Sequence, residues 1–242
     1  MPGTRRWKYR EAVAQLDRAQ KRGEGVPAYM RWVNRWVGRR LAALAAVAGC
    51  SPNAVTLTSG LVSLVALACL VCVPSAVLAG VLAAILLALG FALDSADGQL
   101  ARLTGAGGPA GEWLDHVVDA ARGPLVHLAV AVGMLARGAL PPWWALVPLL
   151  FSVLGSAQFL SQILAEQLAL RSRISGPSGT DRAGPWRSFL LLPVDTGTLY
   201  WSFVLWGFPL AFASLYSLLF LVSAAYAVVS MRRKYLALAV PA

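Results

Sequence analysis

Residues 94–119 read DSADGQLARLTGAGGPAGEWLDHVVD and hold five of the chain's eleven acidic residues: Asp94, Asp97, Glu112, Asp115 and Asp119. Long apolar runs lie on both sides. An acidic side chain at the centre of a membrane helix costs about 2.5–3.5 kcal/mol on insertion scales. A cluster of them needs an offset, and the spacing indicates one. Asp94 and Asp97 are three apart on one predicted helix. Asp115 and Asp119 are four apart on the next, so each pair shares a helix face. The glycine-rich loop between the two helices is short, which predicts antiparallel neighbours with all four carboxylates at one depth.

The surrounding chain is that of an integral membrane protein. Of 242 residues, 58% are hydrophobic and only 13% charged, against about a quarter charged in soluble domains. The apolar runs predict an all-α fold of six transmembrane helices, at about 54–73, 76–103, 110–135, 141–170, 188–206 and 209–230, since about 20 apolar residues cross a bilayer. Pro193 and Asp195 interrupt the fifth. Residues 1–26 form a basic tail, 27–50 an amphipathic interfacial helix, 51–235 the membrane domain and 236–242 a short C-terminal tail. In residues 27–47, Trp32, Val33, Trp36, Val37 and Leu41 make a helical stripe opposite Arg31, Arg35, Arg39 and Arg40, the pattern of a helix lying in the membrane surface.

Net charge is +10, and eleven of the 21 Lys and Arg lie in residues 1–40. Beside a membrane domain this predicts contact with anionic lipid headgroups rather than nucleic acid. Both termini, the loop after Arg102 and the loop carrying Arg171, Arg173, Arg182 and Arg187 fall on one side, which the positive-inside rule makes cytoplasmic. Cys69 and Cys72 sit as CxxC inside an apolar run with no further ligands, so neither zinc nor redox chemistry is expected. No cleavable signal peptide is expected either.

Four carboxylates at one depth repel: two charges 4 Å apart do so by about 4 kcal/mol at an effective dielectric near 20. Oxygen-only ligands suit hard cations, Mg²⁺ or Mn²⁺, and a shared set suits two ions clamping a phosphoryl group. Gly98 and Ala101 leave room on the same face, Arg102 offers a charge for phosphate, and Gly111 permits close approach one turn before Asp115.

The pattern D-x2-D-G-x2-A-R-x8-G-x3-D-x3-D is matched in full by Asp94, Asp97, Gly98, Ala101, Arg102, Gly111, Asp115 and Asp119. It resembles the signature of the CDP-alcohol phosphotransferases. The resemblance covers about residues 27–235 and includes Pro52, Asn53 and Thr56 at the opening of the first span. It implies that Asp94, Asp97, Asp115 and Asp119 hold two divalent cations. Asp119 would also be the general base on the acceptor hydroxyl, and Asn53, Thr56, Gly98, Ala101, Arg102 and Gly111 would contact the CDP moiety. A donor such as CDP-diacylglycerol, an alcohol or polyol-phosphate acceptor, CMP release, a role in phospholipid biosynthesis and a homodimer follow from the same resemblance. So does a multi-pass location, of the bacterial plasma-membrane type, with a cytoplasmic site.

The acceptor residues are less legible. Arg122 either binds an acceptor phosphate or balances Asp119. His127, two turns beyond Asp119, lines the pocket or belongs to the core. Gln158, Gln162 and Glu166 form a polar stripe suited to acceptor recognition or to interhelical hydrogen bonds. From another functional class, a metal-ion transporter would use the same carboxylates, although their position near helix ends beside Gly98 and Arg102 disfavours it.

Overall fold

The computed structural model describes residues 7–18, 26–171 and 186–239, without the side chain of residue 187. Among these residues the chain is helical and has no strand. The helices are α1 (Tyr9–Arg18), α2 (Arg35–Val47, entered through a π-helical turn, Tyr29–Asn34), α3 (Pro52–Cys72), α4 (Ala76–Thr104) and α5 (Pro109–Arg137). After them come α6 (Leu146–Arg171), α7 (Trp186–Leu190), α8 (Thr196–Ser202) and α9 (Pro209–Leu238).

Local chemistry sets the ends of the long helices. Ser51 accepts a hydrogen bond from the Ala54 N–H at 3.2 Å and Pro52 opens α3, an N-cap followed by proline. Ser75 does the same for α4 through the Leu78 N–H. Gly105, at φ 69°, ends α4 in the left-handed conformation that closes a helix without a Cβ clash. Pro109 then starts α5.

Among the described residues, five helices are long and apolar enough to cross a membrane: α3, α4, α5, α6 with its preceding turn from Pro142, and α9. The expected crossing at 188–206 is not one continuous helix. It is built from α7, a 3₁₀ turn (Leu192–Val194), α8 and a second 3₁₀ turn (Phe203–Leu205). Pro193 lacks the N–H needed to continue a helix. The Asp195 carboxylate instead caps α8, accepting from the Gly197 N–H at 2.9 Å, and also accepts from the Met30 N–H at 3.1 Å. The segment is tied to the rest of the bundle at both ends. Arg31 donates to the Ser188 hydroxyl at one end, and Trp206 packs on Gly80, in the second turn of α4, at the other.

A second departure concerns α4 and α5. They are joined by a four-residue loop, yet their backbones do not pack closely; α3 packs along both, and the two helices meet through side chains, Arg122 with Asp94 at 2.8 Å. The gap between them is where the carboxylates meet. The far half of the bundle is filled by Trp144, Phe151, Phe203, Trp206, Phe212 and Tyr216, in mutual ring contact. A Cβ at Gly80 would fall 2.3 Å from the Phe203 carbonyl oxygen, so glycine is what admits this cluster. In a bilayer such close packing, rather than escape from water, holds helices together.

At the other end α1 and α2 lie against α4. Ala12 and Leu16 bury among Ala42, Ala43, Ala46, Ala96, Leu100 and Leu103, and Asp17 pairs with Arg39. Small residues of α2 face the bundle while Trp32, Val33 and Trp36 remain 42–48% exposed. The Trp36 ring carries the Arg40 guanidinium at 3.3 Å, and Trp32 stacks on Phe189.

Candidate metal and nucleotide site

Asp94 and Asp97 lie in the last third of α4, and Asp115 and Asp119 in the first third of α5. One carboxylate oxygen from each of Asp94, Asp97 and Asp115 lies within 4.8 Å of the others. Asp119 borders this trio, held with Asp94 by one guanidinium: Arg122 Nη2 is 2.8 Å from Asp94 Oδ1 and 3.4 Å from Asp119 Oδ1. The same nitrogen donates to the Ser59 hydroxyl of α3 at 2.9 Å. Arg122 is only 6% exposed, so its charge is spent on the cluster.

Asp97 is fixed from two directions. The Thr56 hydroxyl donates to Oδ2 and the Gly98 N–H to Oδ1, both at 2.5 Å. Thr56 also lies within reach of the Pro52 carbonyl, so the first turn of α3 orients a carboxylate of α4.

Beside Asp97 and Asp115 is a cavity of about 390 Å³. Its walls include Asn53, Thr56, Gly98, Ala101, Arg102 and Gly111, the six residues expected to contact CDP, with Pro52 and Glu112. A Cβ on Gly111 would come within 3.2 Å of Asn53 Oδ1, and one on Gly98 within 3.5 Å of Arg102 Nη1. The two glycines thus leave the polar groups of this wall uncovered.

A second cavity, about 410 Å³, opens on the Asp94 and Asp119 side and reaches Arg122 and His127. A third, about 370 Å³, continues from it past His127 and Gln162. His127 is both a core and a wall residue: it is 5% exposed, 2.5 Å from the Tyr216 hydroxyl and stacked on Phe151. Gln162 borders the third cavity but donates to Glu166 on an exposed face of α6, and Glu166 borders none of these three cavities. Gln158 donates to Ser230 of α9, an interhelical bond. Arg173 and Arg182, and the side chain of Arg187, lie outside the described residues.

Two residues that the sequence did not single out belong to the site. Ser59 anchors Arg122 from α3, and Tyr200 of α8 lines both the second and the third cavity, edge-on to Phe91. Neither carries a spacing signal. A serine in an apolar helix is ordinary, and Tyr200 reaches the site only because the segment after Pro193 folds back into the bundle.

A sequence model described as CDP-alcohol phosphatidyltransferase matches residues 50–232, about three quarters of the chain. The chain belongs to the CDP-alcohol phosphatidyltransferase family. No curated protein matches the chain. A CDP-alcohol phosphatidyltransferase moves a phosphoryl group from a CDP-alcohol and uses divalent metal, so the chain is a membrane phosphotransferase rather than a transporter, and the transporter alternative falls. The residues fit the ion: three convergent carboxylates offer hard oxygen donors, and among the described residues the cluster includes no sulfur or imidazole ligand.

Proposed function

We propose that the chain transfers a substituted phosphoryl group from a CDP-linked donor, such as CDP-diacylglycerol, to an alcohol, releasing CMP, in phospholipid biosynthesis. The observation that carries this is the convergence of Asp94, Asp97 and Asp115 between a polar cavity on one side and Asp119 on the other. Asp94, Asp97, Asp115 and Asp119 would hold two divalent cations, Mg²⁺ or Mn²⁺. When bound, such ions neutralise the charge of the diphosphate and of the leaving CMP.

The protein's own groups do the rest. Asn53, Thr56, Gly98, Ala101, Arg102 and Gly111 seat the CDP moiety, Arg102 with a permanent charge toward phosphate. Asp119 takes the proton of the acceptor hydroxyl as its oxygen attacks the β-phosphorus. The bond to the bridging oxygen breaks and CMP leaves with that electron pair. Arg122 holds Asp94 and Asp119 in register. Positioning and charge placement supply most of the catalysis in such transfers.

In this proposal the segment 186–205 is the sixth crossing, broken but complete, and the exposed Trp32 and Trp36 face lies at the membrane surface. The site then faces the cytoplasm of a bacterial-type plasma membrane, and two copies form a homodimer. The test is Asp119→Asn in purified protein with CDP-diacylglycerol and a panel of alcohols. CMP release should fall at least a thousandfold while CDP still binds, and EDTA should abolish wild-type turnover until Mg²⁺ or Mn²⁺ is restored. Near-normal turnover in either arm would sink the assignment.

A further inference from the structure

Helix α1, residues 9–18, lies outside the stretch, 50–232, that the family model matches. It nevertheless seats against the helix that carries Asp94 and Asp97. Ala12 and Leu16 are 0% and 2% exposed, in one cluster with Ala42, Ala43 and Ala46 of α2 and with Ala96, Leu100 and Leu103 of α4. Asp17 pairs with Arg39 of α2 beside this seat. Isolated helices shorter than about 12–15 residues are marginal in water. With ten residues, two of them buried, α1 keeps its shape by docking, and docking of so small a unit is a local, low-cost equilibrium.

The seat lies back to back with the site. Ala96, Leu100 and Leu103 recur at i, i+4 and i+7, one face of α4. By the same period Asp97, Gly98, Ala101 and Arg102 fall on the opposite face, where they border the nucleotide cavity. Each residue of the seat is thus a chain neighbour of a wall residue. Toward its middle α4 is gripped by α2 alone. Asn34 donates to the Phe91 carbonyl at 3.2 Å and Gln99 to the Arg35 carbonyl at 3.4 Å. A Cβ on Gly38 would lie 2.9 Å from Ser95 Cβ, so α2 comes close there. The last turns of α4, at Leu100 and Leu103, share their cluster with α1. Beyond them the chain runs into Gly105, Ala106, Gly107 and Gly108, and residues 106–108 form more of the cavity wall. Glycines bring no side chains to brace that wall, so its position depends on how the end of α4 is held.

We propose that α1 is a positioning element for the nucleotide site: docked through Ala12 and Leu16, it holds the end of α4 in place, and its docking is coupled to occupancy of the site by CDP and a divalent cation. The inference rests on the site assignment above and adds a segment that acts on it from behind. Leu16 touches no substrate; it works through Leu100 and Leu103. Linkage makes the coupling reciprocal. The factor that undocking takes from CDP affinity is the factor by which a saturated site suppresses undocking.

The test uses the full chain in lipid nanodiscs, with CDP and Mn²⁺ as the ligands. Leu16→Asp puts a carboxylate into the closed seat and should undock α1, read as fast hydrogen exchange of amides 9–18. CDP affinity in the presence of Mn²⁺ should then fall about tenfold, within the usual range of coupling between sites. Leu16→Met, which keeps the volume, should bind CDP as the wild type does. In the wild type, saturating CDP and Mn²⁺ should slow exchange of amides 9–18 by about the same tenfold. Amides 232–238, at the end of α9 and away from the nucleotide cavity, should not change. A helix that merely adds stability would lower the unfolding temperature of Leu16→Asp and move neither quantity. Should Leu16→Asp fail to fold, the exchange experiment on the wild type decides alone. Unchanged exchange of α1 in the saturated wild type, or wild-type CDP affinity in an undocked variant, overturns the inference and leaves the site assignment standing. Failure of the wild type to bind CDP with Mn²⁺ removes the site assignment and the inference together.

Discussion

Replacing Arg122 by methionine should separate two roles that the sequence alone left open. The guanidinium sits 2.8 Å from Asp94 and 3.4 Å from Asp119. At an effective dielectric near 20, unit charges at those separations attract by about 6 and about 5 kcal/mol. Most of that is offset by the desolvation of a buried cation, and breaking a buried pair by removing one partner typically costs about 3–5 kcal/mol. Methionine keeps much of the volume and removes the charge. If about 2.7 kcal/mol of the loss falls on the placement of Asp94 and Asp119 at the transition state, kcat drops about a hundredfold. The acceptor KM should change by less than about threefold, because a guanidinium already engaged by two carboxylates and Ser59 has little left for a ligand. Arg122→Lys should recover only part of kcat, since one ammonium cannot reproduce the planar fork. The assay is CMP release under saturating donor with acceptor varied, with thermal unfolding of each variant in parallel. An acceptor KM raised tenfold or more at unchanged kcat would refute this account and return Arg122 to acceptor binding.

Two further outcomes are expected. Thr56→Val removes the 2.5 Å bond to Asp97 at nearly constant shape; loss of such a partner behind a metal ligand should raise the Mg²⁺ or Mn²⁺ concentration for half-maximal activity about 10- to 100-fold, and an unchanged metal titration would count against Asp97 as a ligand. Asp195→Ala deletes the α8 cap and the tie to Met30, so the protein should lose about 1–2 kcal/mol of stability, measured as a lower unfolding temperature, while CDP affinity stays within about twofold.

The reactive half of the molecule was legible because its constraints are local. Four carboxylates at helical spacings in apolar surroundings restrict one another, and each sits at a position that the helix period fixes. The six residues expected around CDP line one cavity for the same reason, being close in sequence to the helix ends that bring them together. What was misjudged depends on contacts between distant segments. The short loop predicted antiparallel neighbours, and α4 and α5 do meet through Arg122 and their carboxylates, but the sequence did not show that the close backbone packing of both would be with α3. Pro193 and Asp195 marked the interruption within 188–206, but the period of an apolar run does not reveal that the segment becomes two short helices and two 3₁₀ turns. The stripe of Gln158, Gln162 and Glu166 has helical spacing, but spacing alone does not say whether that face of α6 meets another helix or the outside of the bundle. The structure gives Gln158 a partner on α9 and leaves Gln162 and Glu166 bonded to each other.

The seating of α1 has a consequence for how the protein is made. Ala12 and Leu16 are translated well before part of their sockets, which include Ala96, Leu100 and Leu103 of α4. That helix also carries Asp94 and Asp97. During synthesis α1 must therefore stay outside the membrane and undocked until about ninety further residues have emerged, with Leu16 solvated or sheltered by a chaperone in the interval. A tag or fusion placed before Tyr9 would weigh on this late step. Its cost would show as a slow approach to full activity after insertion, in protein whose membrane integration is already complete.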